Sequence, residues 1–327
     1  MNLRTTFKID PAPVKINYHT PVMFIGSCFA SEIGKQMSDG RLPVLINPSG
    51  AVYNPISVSK TIEFIISDKK FTEENLYNNK GEYLSFNHYT DFSSDNKDKC
   101  LSRINDITHK AHEFLSNASF LFVTFGTART YRLRETNEVV SNCHKLPQDN
   151  FIQEILSVED IVTRWRKTLL NLQKFNKNLN VIFTISPVRH IKDGAHGNQV
   201  SKSILFVAVE ELLKGSDTFH YFPAYELVMD DLRDYRFYAD DMLHPSSAAV
   251  NYIWEAFSGC FLERKIIDLW NEVAKITKAS NHRLTTRSDD KIKIFANRML
   301  KQISEVESKI PSIDLVNERN YFMNLKK

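Results

Sequence analysis

The sequence predicts an α/β fold: a three-layer α/β/α arrangement with a mostly parallel central sheet, followed by a helical extension at the C-terminal end. Three observations predict it. Residues 22–26, 120–125 and 181–185 are short, almost continuously apolar runs, as expected of strands buried on both faces. Helical spacing fills the intervals between them, an alternation that belongs to a parallel sheet covered on both sides. From residue 265 onward there is no strand pattern, only helical spacing with a charged face.

In chain order, the run 22–26 is the first strand. It leads into a helix whose Phe29, Ile33 and Met37 share one face. Val44-Leu45-Ile46 is a second short strand, stopped by the turn cluster Asn47-Pro48-Ser49-Gly50. Pro55 precedes a helix over 56–66. Residues 67–100 are rich in Asn, Asp and Lys and read as a polar insertion with little core of its own, with a strand possible at 83–86. A helix at 104–114 precedes the buried run 120–125, and residues 131–141 read as a hairpin. Residues 161–175 form a helix before the third buried strand. A loop holding His190, Gly194 and Gly197 then leads to a helix over 205–213 and a short strand near 219–222. The last loop carries Asp241 and His244 and enters a helix near Ser246. The expected division is a domain over residues 1–264 and a helical extension over 265–327.

Composition limits the function classes. Hydrophobic residues are 42% and charged residues 25%, ordinary for a chain that buries a core. With 42 Lys and Arg against 39 Asp and Glu, and no basic clustering, a nucleic-acid partner is not expected. The N-terminal residues lack the apolar run of a secretory signal, and no stretch reaches the ~18 apolar residues of a membrane span, so no membrane partner is expected. The four cysteines (28, 100, 143, 260) are far apart and show no C-x-x-C pairing, which argues against a disulfide framework or structural zinc and makes the cytoplasm the default location. Histidines and acids lack a metal-ligand spacing, so no metal and no cofactor are expected. Oligomeric state is not legible.

Chemistry concentrates in two places. Ser27 follows the first buried strand at the entrance to a helix, where backbone N–H groups and the helix dipole favour developing negative charge. A serine hydroxyl needs a base, usually a histidine oriented by a carboxylate. Asp241 and His244 have that spacing: one imidazole nitrogen can meet the carboxylate while the other faces the serine. Taken alone, Ser27 is equally an N-cap and Asp-x-x-His a surface loop; together, and in this order, they favour catalysis. Gly126 and Ser186 also fall at strand ends, where functional groups of open parallel sheets gather.

Gly26-Ser27-Cys28-Phe29-Ala30 resembles, letter for letter, the motif of the GSCFA family, a branch of the SGNH (GDSL-like) hydrolase superfamily. The resemblance continues through Asn47-Pro48-Ser49-Gly50, Phe125-Gly126-Thr127-Ala128, Asn142-Cys143-His144-Lys145, residues 186–190 and the Asp-x-x-His loop, roughly residues 20 to 260. It implies a three-layer serine hydrolase with Ser27 as nucleophile, its N–H and that of Gly50 as oxyanion donors, His244 as base and Asp241 as its orienting acid. One block departs from the superfamily. Gly126-Thr127-Ala128 stands where Gly-x-Asn is usual, so one donor is missing; Asn142 or the backbone near Thr127 is the expected replacement.

These readings combine into a serine-dependent ester hydrolase or acyltransferase acting on a small O-acyl ester, an acylated carbohydrate by analogy with the fold. The alternative is a catalytically impaired protein that binds a ligand in the same cleft. Arg189 could hold a substrate carboxylate or phosphate through its planar fork, or pair with a structural acid. His190 follows a strand end, and His144 could face the cleft. Cys28 as nucleophile and a Cys143–His144 dyad are weaker alternatives, since neighbouring side chains point apart. His88, His196 and His220 read as surface or packing residues. Tyr225, Tyr235, Phe237 and Tyr238 read as packing or as an aromatic wall for a sugar.

Overall fold

The computed structural model describes residues 5–281 and 288–326. Its strands are β1 (Val22–Gly26), β2 (Val44–Ile46), β3 (Tyr77–Asn79), β4 (Glu82–Leu84), β5 (Phe120–Phe125), β6 (Arg129–Leu133), β7 (Val139–Val140), β8 (Phe151–Ile155), β9 (Asn180–Ile185) and β10 (Phe219–Tyr221). Its helices are α1 (Cys28–Asp39), α2 (Pro55–Ile66), α3 (Lys97–Ser116), α4 (Val158–Phe175), α5 (Gly194–Leu213), the single turn α6 (Ala224–Glu226), α7 (Ser247–Phe261), α8 (Arg264–Asn281), α9 (Asp289–Lys309) and α10 (Val316–Asn324). The chain has the three-layer α/β/α arrangement with a mostly parallel central sheet and a helical C-terminal extension.

The central sheet has the order β10-β9-β5-β1-β2, and β1, β5, β9 and β10 pair in parallel. In register, Met23, Leu121 and Val181 lie side by side, as do Ile25, Val123 and Phe183. Alternate residues face opposite sides of a strand, so these positions share one face. There they form a buried core with Val58 and Ile62 of α2, Leu115 of α3, Trp165 and Leu169 of α4, and Leu205 and Val209 of α5. Phe125, Trp165 and Phe183 meet ring to ring with centroids 5.0–5.8 Å apart, and the Trp165 indole donates to Pro55 O. The opposite face buries Phe24 stacked on Phe122. On α1, Gly34 lies so near Ile46 that a Cβ would come within 2.7 Å of its side chain.

Helix starts follow the local sequence. Asn54 caps α2 through Ser57 N–H with Pro55 in the first turn, Asn96 caps α3, and Ser157 with Asp160 forms a reciprocal capping box on α4. Each such cap contributes about 1 kcal/mol. The polar insertion does hold a small core. Its hairpin β3–β4 accompanies buried Phe71, Cys100 and Ile104. His88 is fully packed between Phe71 and Phe92 and bonded to Ser85 Oγ. The predicted hairpin at 131–141 is β6–β7, with Tyr131 opposite Val140. A third strand, β8, completes that small sheet and was not predicted from the sequence.

The chain forms two compact units. One comprises residues 5–8, Pro21–Gly34 and Leu45–Ile253, and holds the sheet face and core just described. The other comprises Ile9–Thr20, Lys35–Val44 and Trp254–Lys327. Within it, α8, α9 and α10 bury Val273, Ile276, Met299, Ile303 and Phe322. The Trp270 indole donates to Gln36 O, and Gly40 is so close to that ring that a Cβ would collide with it. Arg41 and Glu318 form an ion pair in which the carboxylate is buried. No helix among the described residues is long and apolar enough to cross a membrane.

Candidate active site

From β1 the chain moves to β2 on one side, and later to β5, β9 and β10 on the other. The order therefore reverses between β1 and β5, and an open parallel sheet has its functional crevice at the carboxyl ends of the strands at such a point. Ser27 directly follows β1, and Gly126 directly follows β5. The segment 47–53 is stitched to both strand ends. Asn47 Oδ1 accepts Gly26 N–H (2.8 Å), and Val52 N–H donates to Gly26 O (2.9 Å). Tyr53 O accepts from Gly126 N–H (2.7 Å) and Thr127 N–H (3.1 Å). The Asn47 amide also donates to Ser31 Oγ (2.8 Å), tying the first turn of α1 to the same turn.

Ser27 is 3% exposed, and its hydroxyl has no hydrogen-bond partner among the described residues. An N-cap serine accepts from the N–H two or three residues on; this one does not. Its own N–H donates to Thr124 O at 3.2 Å, and Gly50 N–H closes a turn onto Asn47 O at 2.7 Å. Gly50 has φ +80°, and a Cβ there would fall 2.1 Å from Tyr89 Cβ, so only glycine fits this turn.

Asp241 and His244 are joined directly, Nδ1 to Oδ2 at 2.6 Å. The other carboxylate oxygen accepts the N–H groups of Leu243 and His244, both at 2.9 Å. These bonds, His244 N–H foremost, hold the Asp241 carboxyl down at about 2. An ionised carboxylate only accepts, so Nδ1 carries the proton and Nε2 is left as the basic nitrogen. The loop is closed at its base by a bridge between Tyr238 and Pro245 and by Ala239 N–H to His244 O (2.8 Å). Both side chains are about half exposed. No hydrogen bond joins His244 to Ser27 in this structure. Burial first, then the Lys202 charge and least of all His244, lower the His190 imidazole, against an opposing effect of Asp193.

The cysteine alternatives meet specific geometry. Cys28 Sγ lies 3.2 Å from the Tyr53 hydroxyl. Burial raises the Cys143 thiol to about 11, far from the thiolate a nucleophile needs. Residues 143 and 144 are in a turn rather than a strand, and Cys143 lines the cleft while His144 donates through Nε2 to Ser85 O at 2.9 Å. A ring N lone pair cannot pair with a carbonyl, so His144 Nε2 is the protonated nitrogen. Asn142 lines the cleft too; its amide contacts Thr90 Oγ1 at 3.4 Å, and its carbonyl accepts His144 N–H.

Sequence reasoning missed the buried polar side of α5. Asn198 Oδ1 accepts His190 N–H (3.0 Å), Ser201 Oγ accepts Ala128 N–H (2.8 Å) and contacts Thr127 Oγ1 (3.0 Å), and Lys202 Nζ donates to both Gly126 O and Ser186 O at 2.6 Å. One helix turn thus fixes the segments that follow β5 and β9. A signal was present: Lys202 shares the helical stripe of Leu205, Val209 and Leu212. Lys202 is fully buried, and burial, helped by the Arg189 charge, pulls its amine from 10.5 to about 7. The unfolded chain keeps that proton up to about 10.5, so unfolding takes up a proton between these values and stability rises with pH across the window. Between pH 7 and 9, wild type is expected to gain on the order of 1–2 kcal/mol relative to Lys202→Met. Urea melts at the two pH values check this, and identical pH dependence in both proteins would rule it out.

Beside these segments lies a cleft of about 750 Å³ that brings together Thr127, Asn142, Arg189 and His190 with Tyr53 and Tyr89. Ser27, Gly50, Gly126, His144, Asp241 and His244 do not line it. Tyr53 connects the two regions, its hydroxyl on Cys28 and its ring edge-on to His190 with centroids 6.2 Å apart. Among the described residues no cluster of three or more His, Cys, Asp or Glu side chains is placed to hold a metal ion.

No curated protein matches the chain. Among solved structures, it is similar to a carbohydrate esterase family 3 protein from Talaromyces cellulolyticus, at 9% identity and a TM-score of 0.36, over 77% of this chain and 99% of that one. The GSCFA family model matches residues 21–257, a stretch that contains the serine after β1, the segment 47–53, the strand-end glycine of β5 and the Asp-x-x-His loop. By that match, over well more than half its length, the chain belongs to the GSCFA family.

Proposed function

We propose that the chain is a serine-dependent ester hydrolase or acyltransferase acting on a small O-acyl ester, such as an acylated carbohydrate. The observation that carries this reading is the Ser27 hydroxyl: buried, without a partner, and at the strand-order reversal of the sheet. Burying a hydroxyl without a partner costs about 1–3 kcal/mol, a cost recovered when the hydroxyl meets a base and a substrate. Membership of the GSCFA family and the Asp241–His244 bond support a hydrolase-like role.

In the proposed reaction, His244 Nε2 takes the Ser27 proton as Oγ attacks the ester carbonyl. The tetrahedral intermediate collapses to an acyl-enzyme as His244 returns the proton to the leaving alcohol. Water, or an acceptor alcohol, then gives its proton to His244 as it attacks the acyl carbonyl, and this intermediate collapses as His244 returns the proton to the departing Ser27 Oγ, releasing the acid or the new ester. Asp241 holds the imidazole tautomer and stabilises its charged form. Two motions are required: His244 must close onto Ser27, and an oxyanion must share Ser27 N–H with Thr124 O, whose 3.2 Å bond is the longer of the two engaged donors.

The engagement of the Ser27 and Gly50 N–H groups by backbone carbonyls, and of Asn142 by Thr90, also favours a second reading, a ligand-binding protein with impaired catalysis. A fluorophosphonate probe separates the two. Covalent labelling located at Ser27 by mass spectrometry, and lost in Asp241→Ala, is expected of the hydrolase. A folded protein that resists the probe would fit the binder and remove the hydrolase.

A further inference from the structure

We infer that the cleft beside Ser27 binds an acidic sugar unit, a pyranose bearing a carboxylate or phosphate, as the acyl-bearing or acyl-accepting part of the substrate. Its assignment as substrate rests on the ester hydrolase reading; the binding itself does not.

Charge is the first argument. Lys145, Arg189 and Lys192 line the cleft, and none of them has a carboxylate partner among the described residues. The acid in the lining, Asp193, is already paired with Arg129 at 3.2 Å. Three exposed cations without carboxylate partners therefore line one concave space, where field lines concentrate and an anion is held more firmly than on a flat surface. Arg189 is placed for this role. Its guanidinium meets Met229 Sδ at 3.5 Å and is paired with no carboxylate among the described residues, and it presents a planar fork suited to two oxygens of one carboxylate or phosphate.

Shape and lining supply the ring. The volume of about 750 Å³ falls in the range of roughly 300–1,000 Å³ that encloses drug-sized ligands. Tyr53, Tyr89, Tyr131 and Phe151 offer ring faces and edges, while Thr90, Asn142 and Gln153 offer donors and acceptors for hydroxyl groups. A ligand with a flat hydrogen-bearing face, several hydroxyls and one negative charge satisfies all three. A neutral acyl chain would leave the cations unpaired, and a bare phosphate would leave the aromatic wall unused. The Tyr53 contact with Cys28 ties this wall to the residue that follows the proposed nucleophile in the chain.

The test uses the full chain carrying Ser27→Ala, so that binding is measured without turnover. Glucose, glucuronic acid, glucose 6-phosphate and inorganic phosphate are titrated by calorimetry at low and high ionic strength. Both charged sugars are expected to bind at least about tenfold more tightly than glucose, since one charge-assisted bidentate pair is worth more than 1.4 kcal/mol. That preference should weaken with added salt and be lost in the double variant with Arg189→Met, a change at an exposed position, with circular dichroism checking that the variant is folded. A stronger response to the phosphate assigns a sugar phosphate; equal or stronger binding of the carboxylate assigns a uronic acid. Equal binding of glucose and the charged sugars overturns the proposal. So does no binding of any sugar, inorganic phosphate as tight as the sugar phosphate, or a preference unchanged by Arg189→Met. If anion-selective binding persists while the fluorophosphonate probe fails, the hydrolase reading falls and the binding site stands; labelling without selectivity gives the converse.

Discussion

Replacing Ser27 with alanine is expected to lower hydrolysis of a short-chain nitrophenyl ester by about 10⁴-fold or more, the scale on which serine hydrolases lose turnover when the nucleophile is removed. The same variant is expected to be more stable than wild type. The hydroxyl is buried and unpartnered, so deleting it relieves a desolvation cost of about 1 kcal/mol and leaves only an oxygen-sized gap. In a chain of this size that amounts to a rise in Tm of about 1–3 °C. The paired outcome matters more than either half. A structural serine would lose stability on truncation and leave ester turnover where it was. Undiminished turnover in Ser27→Ala would remove the assignment of the nucleophile.

Gly26→Ala is expected to cost a large share of the protein's stability. Gly26 ends β1 with φ +150°, a backbone conformation L side chains rarely adopt. A Cβ there would fall 2.2 Å from Thr124 O and 2.8 Å from Thr124 Cβ, on the neighbouring strand of the sheet. Strand β5 cannot yield, because it pairs with β9 along its whole length and is buried on both faces. Overpacking of about 1–3 kcal/mol and backbone strain of similar size add to about 2–6 kcal/mol, a large part of the 5–15 kcal/mol that holds a typical protein folded. The urea midpoint measures it. A variant within about 1 kcal/mol of wild type would show that the ends of β1 and β5 separate easily, and the rigid presentation of Ser27 would have to be abandoned. The glycine in the motif is thus required by sheet packing, whereas the serine after it is not.

What could be read in advance followed from local patterns. Apolar runs located β1, β5 and β9, because a strand buried on both faces has no polar alternation to hide it. Strand β8 was missed because Phe151–Ile155 carries polar Gln153 and Glu154 and lies largely exposed, so neither a continuous nor a strictly alternating pattern marks it. The start of α5 was placed too late for a related reason. Gly194, Gly197 and Asn198 read as loop residues, yet Asn198, Ser201 and Lys202 are on the buried side of a helix whose interior partners are backbone groups rather than apolar side chains. The insertion reads as having little core of its own because its packing, Phe71 with His88 and Cys100, uses few apolar residues, far apart in sequence.

By itself, the sequence determined the presence of β1, β5 and β9, the glycine-serine junction after the first of them, and the spacing that lets Asp241 and His244 bond, because each depends on residues within a few positions of one another. Only the tertiary structure decided that Asn47 and Tyr53 stitch β1 to β5, that Lys202 holds the ends of β5 and β9, and that Arg189 and Lys145 line a common cleft. Those relations join residues many tens of positions apart. They are set by strand order and by the need to pair every buried polar group, and no local pattern records either.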